Sequence, residues 1–160
     1  MRQIGIVMAL AATLVATGLD AAPPPRKVPY WASIAAGDAL MRTGPGRNYP
    51  AKWRYRRPAL PVRVVQVHES WRRVRDPDGV EGWMASVLLS AERSGIVTRR
   101  VAALRSAPDL TSRVRWRVGS GVIGRIRHCA QGWCEFKVKE RSGYVETAAL
   151  WGLDAGETID

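Results

Sequence analysis

The chain carries one ordered set of residues twice, and this repeat limits its fold more than any single motif does. The first copy runs "ALMRTGPGRNYPAKWRYRRPALPVRVVQVHESWRRVRDPDGVEGWMASVLLS" and the second "AALRSAPDLTSRVRWRVGSGVIGRIRHCAQGWCEFKVKERSGYVETAALWG". Met41-Arg42 answers Leu104-Arg105, and Pro45 answers Pro108. Trp53 and Tyr55 are aligned with Val114 and Trp116, and Val65 with Ile126. Trp71 and Val74 answer Trp133 and Phe136. Gly82-Trp83-Met84 answers Gly143-Tyr144-Val145, and Leu89 answers Leu150. Matches that keep their order through a unit of about 61 residues imply two copies of one small structural module.

Each copy consists of short runs of period two broken by turn residues. "KWRYR" alternates basic and aromatic positions, "PVRVVQV" is rich in β-branched residues, and "WRRVRD" sets Trp71, Arg73 and Arg75 against Arg72, Val74 and Asp76. "DPDG" at 76–79 is a turn signal, with Asp76 and Asp78 in turn-stabilising places. No segment keeps a 3.6-residue period beyond two turns. "ASVLLSAE" and "ETAALWG" suit short helical turns at the unit ends. About five strands in about 60 residues predict a small barrel, and so an all-β chain. A unit of that size buries little core alone, so packing of the two units together, or a disulfide in one of them, would help.

The ordered motifs R-x-G-P-x-x-x-Y-P, LPV-x-V and W-x-x-V-R-D-x-D-G-x-x-G-W resemble bacterial SH3-like domains. "YPAKWRYRRPALPVRVV", "HCAQGWCEFKV" and "GYVETAALWG" are similar to the exported tandem SH3-like proteins of alphaproteobacteria. The resemblance covers about residues 35 to 152. It implies two tandem small SH3-like barrels; related bacterial SH3-like domains often target cell-wall peptides or glycans and often accompany a wall hydrolase. The second copy departs from the pattern: "GPGRNYP" becomes "APDLTS" and Gly82-Trp83 becomes Gly143-Tyr144. A ligand groove is therefore expected to differ between copies, or to exist in one.

The expected organisation is a signal peptide at 1–21, a proline-rich linker at 22–34, barrel one at 35–90, barrel two at 91–153 and a tail at 154–160. Arg2, the apolar run Ile4 to Val15 and the small residues after it form the leader pattern. This predicts a periplasmic or secreted chain with no stable membrane span after cleavage. In an oxidising compartment Cys129 and Cys134, spaced C-x4-C around Gly132, are expected to form a disulfide across a hairpin. Trp31 falls outside the repeat and is expected to cover a unit end.

Twenty-five Lys and Arg against fourteen Asp and Glu give a net charge of +11. Such a surface favours polyanions without choosing among them, and an export signal disfavours nucleic acid. Catalytic chemistry is poorly provided for. Two cysteines cannot complete a zinc site, His128 beside Cys129 would diverge from it on a strand, and no serine sits in a nucleophile elbow. No catalytic residue, metal site or cofactor is expected. Trp71, Trp83, Trp133 and Tyr144 are expected to fill or edge each core, with a surface platform as the alternative, while Trp53 and Tyr55 are expected to turn toward a core or the other unit. The candidate ligand contacts are Arg54, Tyr55, Arg56, Trp71, Arg73 and Trp83. The expected partner is peptidoglycan or another acidic envelope component, as cell-wall peptide or glycan; the alternative is an envelope protein, with the chain acting as a scaffold.

Overall fold

The computed structural model describes residues 26–160. The leader expected over 1–21 and residues 22–25 of the expected linker lie outside the described residues. The first sheet contains β1 (Tyr30–Ile34), β2 (Ala39–Arg42), β3 (Ala51–Tyr55), β4 (Pro61–His68), β5 (Trp71–Arg75), β6 (Glu81–Ala85) and β7 (Leu89–Ser90). The second contains β8 (Ser94–Val97), β9 (Val101–Arg105), β10 (Val114–Gly119), β11 (Ile123–Ala130), β12 (Trp133–Val138), β13 (Arg141–Glu146) and β14 (Leu150–Trp151). Their orders are β3-β2-β6-β5-β4-β1-β7 and β10-β9-β13-β12-β11-β8-β14. The two orders are the same when each strand is replaced by the one seven later, so the repeat is complete in topology. Single 3-10 turns at Ser86–Leu88 and Thr147–Ala149 stand where the short helical turns are expected. Among the described residues no helix is long and apolar enough to cross a membrane.

Each sheet wraps its own core. Ile34, Met41, Val62, Val64, Val74 and Met84 fill the first, and Val97, Leu104, Ile126, Phe136 and Val145 the second. Residues 30–34, which the sequence assigns to the linker, instead form β1 and pair with both β4 and β7. Trp31 therefore belongs to the repeat. From Trp31 to Ile34 every residue of β1 is buried, because one face meets the core and the other approaches the second barrel. A strand covered on both faces shows no period-two pattern, which is why the sequence hides it.

Bulges reset the alternation within strands. In β11 the inward positions Gly124 and Ile126 give way to Cys129, and the register shifts between Arg127 and Cys129. His128 is the extra residue, at φ 43°. Strict alternation would turn His128 inward and Cys129 out; the bulge reverses this. Cys129 and Cys134 then face each other and form the disulfide. Gln131 and Gly132, at φ 50° and 82°, close this hairpin. Two central residues with positive φ match the twist of the flanking strands, and the second is a glycine.

β6 crosses β2 closely at Gly82. A methyl group there would lie 2.4 Å from Met41 Cγ and 2.8 Å from the Arg42 carbonyl oxygen. At Gly143 it would lie 2.8 Å from the Arg105 carbonyl oxygen and 3.0 Å from Leu104 Cβ. The glycine of each Gly-aromatic motif is thus required by close strand approach.

The barrels dock through an apolar seam with charged edges. Ile96 and Ile123 of the second barrel pack against the first core. Trp31 meets Trp151 edge to face, with centroids 4.7 Å apart. The Arg63 guanidinium lies over Trp31 at 5.0 Å and pairs with Asp154. Residues 153–160 continue along the second barrel. Leu153 and Ile159 pack on its core, and Ile159 exchanges backbone hydrogen bonds of 2.8 and 3.0 Å with Cys129. Glu157 accepts from Arg93 at 2.5 and 2.9 Å.

Gly82→Ala should destabilise the protein by about 1–3 kcal/mol through overpacking, read by urea denaturation; an unchanged midpoint would contradict the crossing described. The hydrogen bonds from Arg93 hold the Glu157 carboxyl below the ordinary carboxylate range despite the opposing effect of burial. Its stabilising contribution is therefore complete above the unfolded carboxylate pKa of about 4.3. It is lost as pH falls through the lowered folded value. The stability gap between the parent protein and Glu157→Gln should narrow across that acid window, measured by melts at stepped pH.

Candidate functional site

The pairing of β2, β6, β5 and β4 sorts the candidate residues by face. On β5 and β6, Val74, Gly82 and Met84 point inward, while Trp71, Arg73, Trp83 and Ala85 point outward. Trp71 lies opposite Ala85 and Arg73 opposite Trp83. Arg42 is the neighbour of Trp83 across β2. Arg54, opposite Leu40 on β3, joins the same outer face. Four of the six expected contacts, Arg54, Trp71, Arg73 and Trp83, thus share one surface. All four tryptophan and tyrosine positions at 71, 83, 133 and 144 are half-buried, edging the sheets rather than filling the cores.

A groove of about 480 Å³ opens on this outer face. Trp71, Leu40, Ala85 and Val87 provide apolar surface, and Arg42, Arg47, Arg54 and Asp38 provide charge. Arg42 donates to the Tyr49 carbonyl at 2.7 Å, closing the β2–β3 loop; Arg105 does the same to Ser112 at 2.6 Å. These two arginines are structural. Arg54 grips both oxygens of Asp38, and this hydrogen bonding lowers the Asp38 carboxyl below its usual range. Glu81 is lowered in the same way, first by Arg75 and then by Arg73, which pairs with it at 3.0 Å. The carboxylates on this face therefore stay ionised and are already held by arginine. Trp83 meets His68 edge to face at 6.3 Å.

The second barrel presents different chemistry in the same register. Glu135 replaces Arg73 beside Tyr144, and Glu146 replaces Ala85 beside Trp133. Two acids thus stand where the first barrel has a cation and a methyl group.

Tyr55 does not join the outer face. It is 7% exposed and faces the first core. Its hydroxyl donates to Asp76 Oδ2 at 2.8 Å, while Asp76 Oδ1 accepts from the backbone of Asp78 and Val80. Burial, followed by the bond to Asp76, raises the Tyr55 phenol well above its ordinary range. Asp76 thereby both shapes the turn and anchors Tyr55. Arg56 lies beyond the end of β3 and lines a cleft between the barrels.

Trp53 is placed differently from expectation. It shares the inward side with Met41 and Tyr55, yet it is 54% exposed because it stands past the rim of the core. Its true counterpart is Trp116: Trp53 pairs with Met41, and Trp116 with Leu104. Trp116 is also open, at 41%, beneath the Arg141 guanidinium at 4.6 Å. The alignment of Trp53 and Tyr55 with Val114 and Trp116 is therefore corrected by two residues, and Val64, rather than Val65, answers Ile126. Bulges at Lys52 and Arg115 displace these strands equally. Arg42/Arg105 and Pro45/Pro108 already differ by 63 positions; keeping that interval would have matched Trp53 with Trp116. Cys129 and Cys134 are fully buried and bonded to one another, so neither provides a thiolate. His128 is exposed on its bulge.

Tyr55→Phe should cost about 1–3 kcal/mol by leaving a buried carboxylate oxygen without its donor. Trp53→Ala should cost less than about 1 kcal/mol because its ring is open. Chemical denaturation of the two variants checks the contrast; equal losses would contradict it.

The bacterial SH3 domain family profile matches residues 35–91 and again 99–152. The chain belongs to that family, and its two barrels are SH3-like domains in tandem. No curated protein matches the chain. The solved structures of NlpC2 and NlpC1 from Trichomonas vaginalis are similar to it, at 14% and 15% identity and a TM-score of 0.35 each. These matches cover 79% and 86% of this chain but 49% and 50% of those chains, so it spans about half their length.

Proposed function

We propose that this tandem bacterial SH3 domain chain is a non-catalytic binding module of the cell envelope that recognises peptidoglycan or another acidic envelope component. The observation that carries this reading is the outer face of the first barrel. There Trp71 and Trp83 lie among Arg47, Arg54 and Arg73, beside an open groove. Indole supplies a flat apolar surface with one donor, and guanidinium pairs with carboxylate or phosphate in a forked geometry. Such a surface suits a polymer of apolar ring faces and regularly spaced anions. The second barrel places Glu135 and Glu146 in this register, which makes it the weaker partner for a polyanion.

The disulfide supports an oxidising compartment, as does the leader pattern in the sequence. A scaffold for an envelope protein is less well supported. The apolar surface between the units is used to dock them to each other through Trp31, Trp151, Ile96 and Ile123.

Sedimentation with purified sacculi tests the proposal. The mature chain should bind more strongly than a basic control protein of matched charge, and Arg47→Glu with Arg73→Glu should weaken binding at least tenfold. Binding equal to the control, or insensitive to the double substitution, would overturn the reading.

A further inference from the structure

A second site lies away from the outer face. A cleft of about 530 Å³ runs between the barrels, within the roughly 300–1,000 Å³ typical of small-ligand sites, which favour domain boundaries. The first barrel contributes Trp53, Arg56 and the Pro77–Asp78 turn, and the second contributes Ile96, Thr98 and Ser120.

The hydrogen bonds of the walls separate groups that are already used from groups that are available. Tyr55 and both oxygens of Asp76 satisfy one another and the turn backbone. Thr98 Oγ1 donates to the Ala149 carbonyl at 3.2 Å. Arg57 donates to the Gly121 carbonyl at 2.7 Å, fastening one wall to the other. Beside the Ser120 hydroxyl, three charged or aromatic side chains remain. Trp53 is 54% exposed and offers its ring to the cleft. Among the described residues Arg56 and Asp78 enter no ion pair, although the charge of Arg56 reaches Asp38, which Arg54 already holds. A cation, an anion and an open indole therefore line one cavity, and each lacks a partner of its own.

This combination selects against simple charge. A polyanion would gain from Arg56 but meet Asp78, and a polycation would meet the reverse. A group with both charges beside an apolar body satisfies all three side chains. We propose that the cleft between the barrels binds a short peptide with free ends, its carboxylate on Arg56, its ammonium on Asp78 and its aliphatic body against Trp53. A forked guanidinium–carboxylate contact sets the orientation, and the indole face supplies apolar contact. Because the walls come from both barrels, the tandem rather than either domain forms the site.

Tri-alanine with free ends is the probe, compared with its N-acetylated and C-amidated forms. It is titrated into the full mature chain while tryptophan fluorescence and amide chemical shifts are followed. Free tri-alanine should bind saturably and shift amides on both cleft walls. Either cap should weaken it at least tenfold. Arg56→Ala should weaken the free peptide at least tenfold but leave the amidated form little changed. Asp78→Asn should do the same for the free and acetylated forms. Trp53→Ala should remove the fluorescence response and weaken binding, with circular dichroism confirming an intact fold. No saturable binding at millimolar peptide, equal binding of capped forms, or shifts confined to one barrel would overturn the proposal. The sacculus assay stands apart: Arg47→Glu with Arg73→Glu should leave tri-alanine binding unchanged, so either reading can fail alone.

Discussion

The packing of Trp31 holds this molecule together as one object. Its indole lies on a strand of the first barrel, meets Trp151 of the second edge to face, and is covered by Arg63, which reaches Asp154. Arg63 sits well as guanidinium because it is weakly hydrated and can stack and pair at once. With Ile96 and Ile123 against the first core, the seam gives two small cores the common apolar surface that neither could bury alone. The cleft and the course of the C-terminal segment both follow from this docking, since each uses residues beside the seam.

How much of this could be read in the sequence depended on whether a residue's role is local. The turn at Asp76, the facing cysteines and the paired Gly-aromatic motifs were legible because each is set by neighbours within a hairpin. β1 was hidden because burial on both faces erased its alternation. Trp53 falls out of line with Trp116 when a repeat of 61 is applied throughout, because the interval is 63 up to these strands and shrinks to 61 only in the turns that follow. His128 shows the same limit: the facing cysteines were expected, but the bulge that turns them inward left no signal beyond a short hairpin. At the outer face, Arg54, Trp71, Arg73 and Trp83 could be grouped from alternation. Tyr55 could not be excluded without knowing that Asp76 was within reach of its hydroxyl.

The two surfaces of the chain divide its excess positive charge unequally. Arg42 and Arg105 are spent on loop carbonyls and Arg57 on the seam. Arg73 and Arg75 share Glu81. The net charge of +11 already subtracts the acids, so this pairing decides where the excess cations are displayed and not how large the excess is. What distinguishes the barrels is position: Arg73 and Ala85 stand opposite the aromatic residues of the first, and Glu135 and Glu146 opposite those of the second.

The close crossing at Gly82 and Gly143 has a consequence for how such repeats diversify. The glycine is locked because a neighbouring backbone leaves no room for one more carbon. The residue after it points the other way, and here it is Trp83 in one copy and Tyr144 in the other. A frozen position thus stands beside a free one, two ångström-scale worlds apart on a single strand. The scaffold can hold its geometry constant while the side chain shown on its outer face changes, and each copy can change separately from the other.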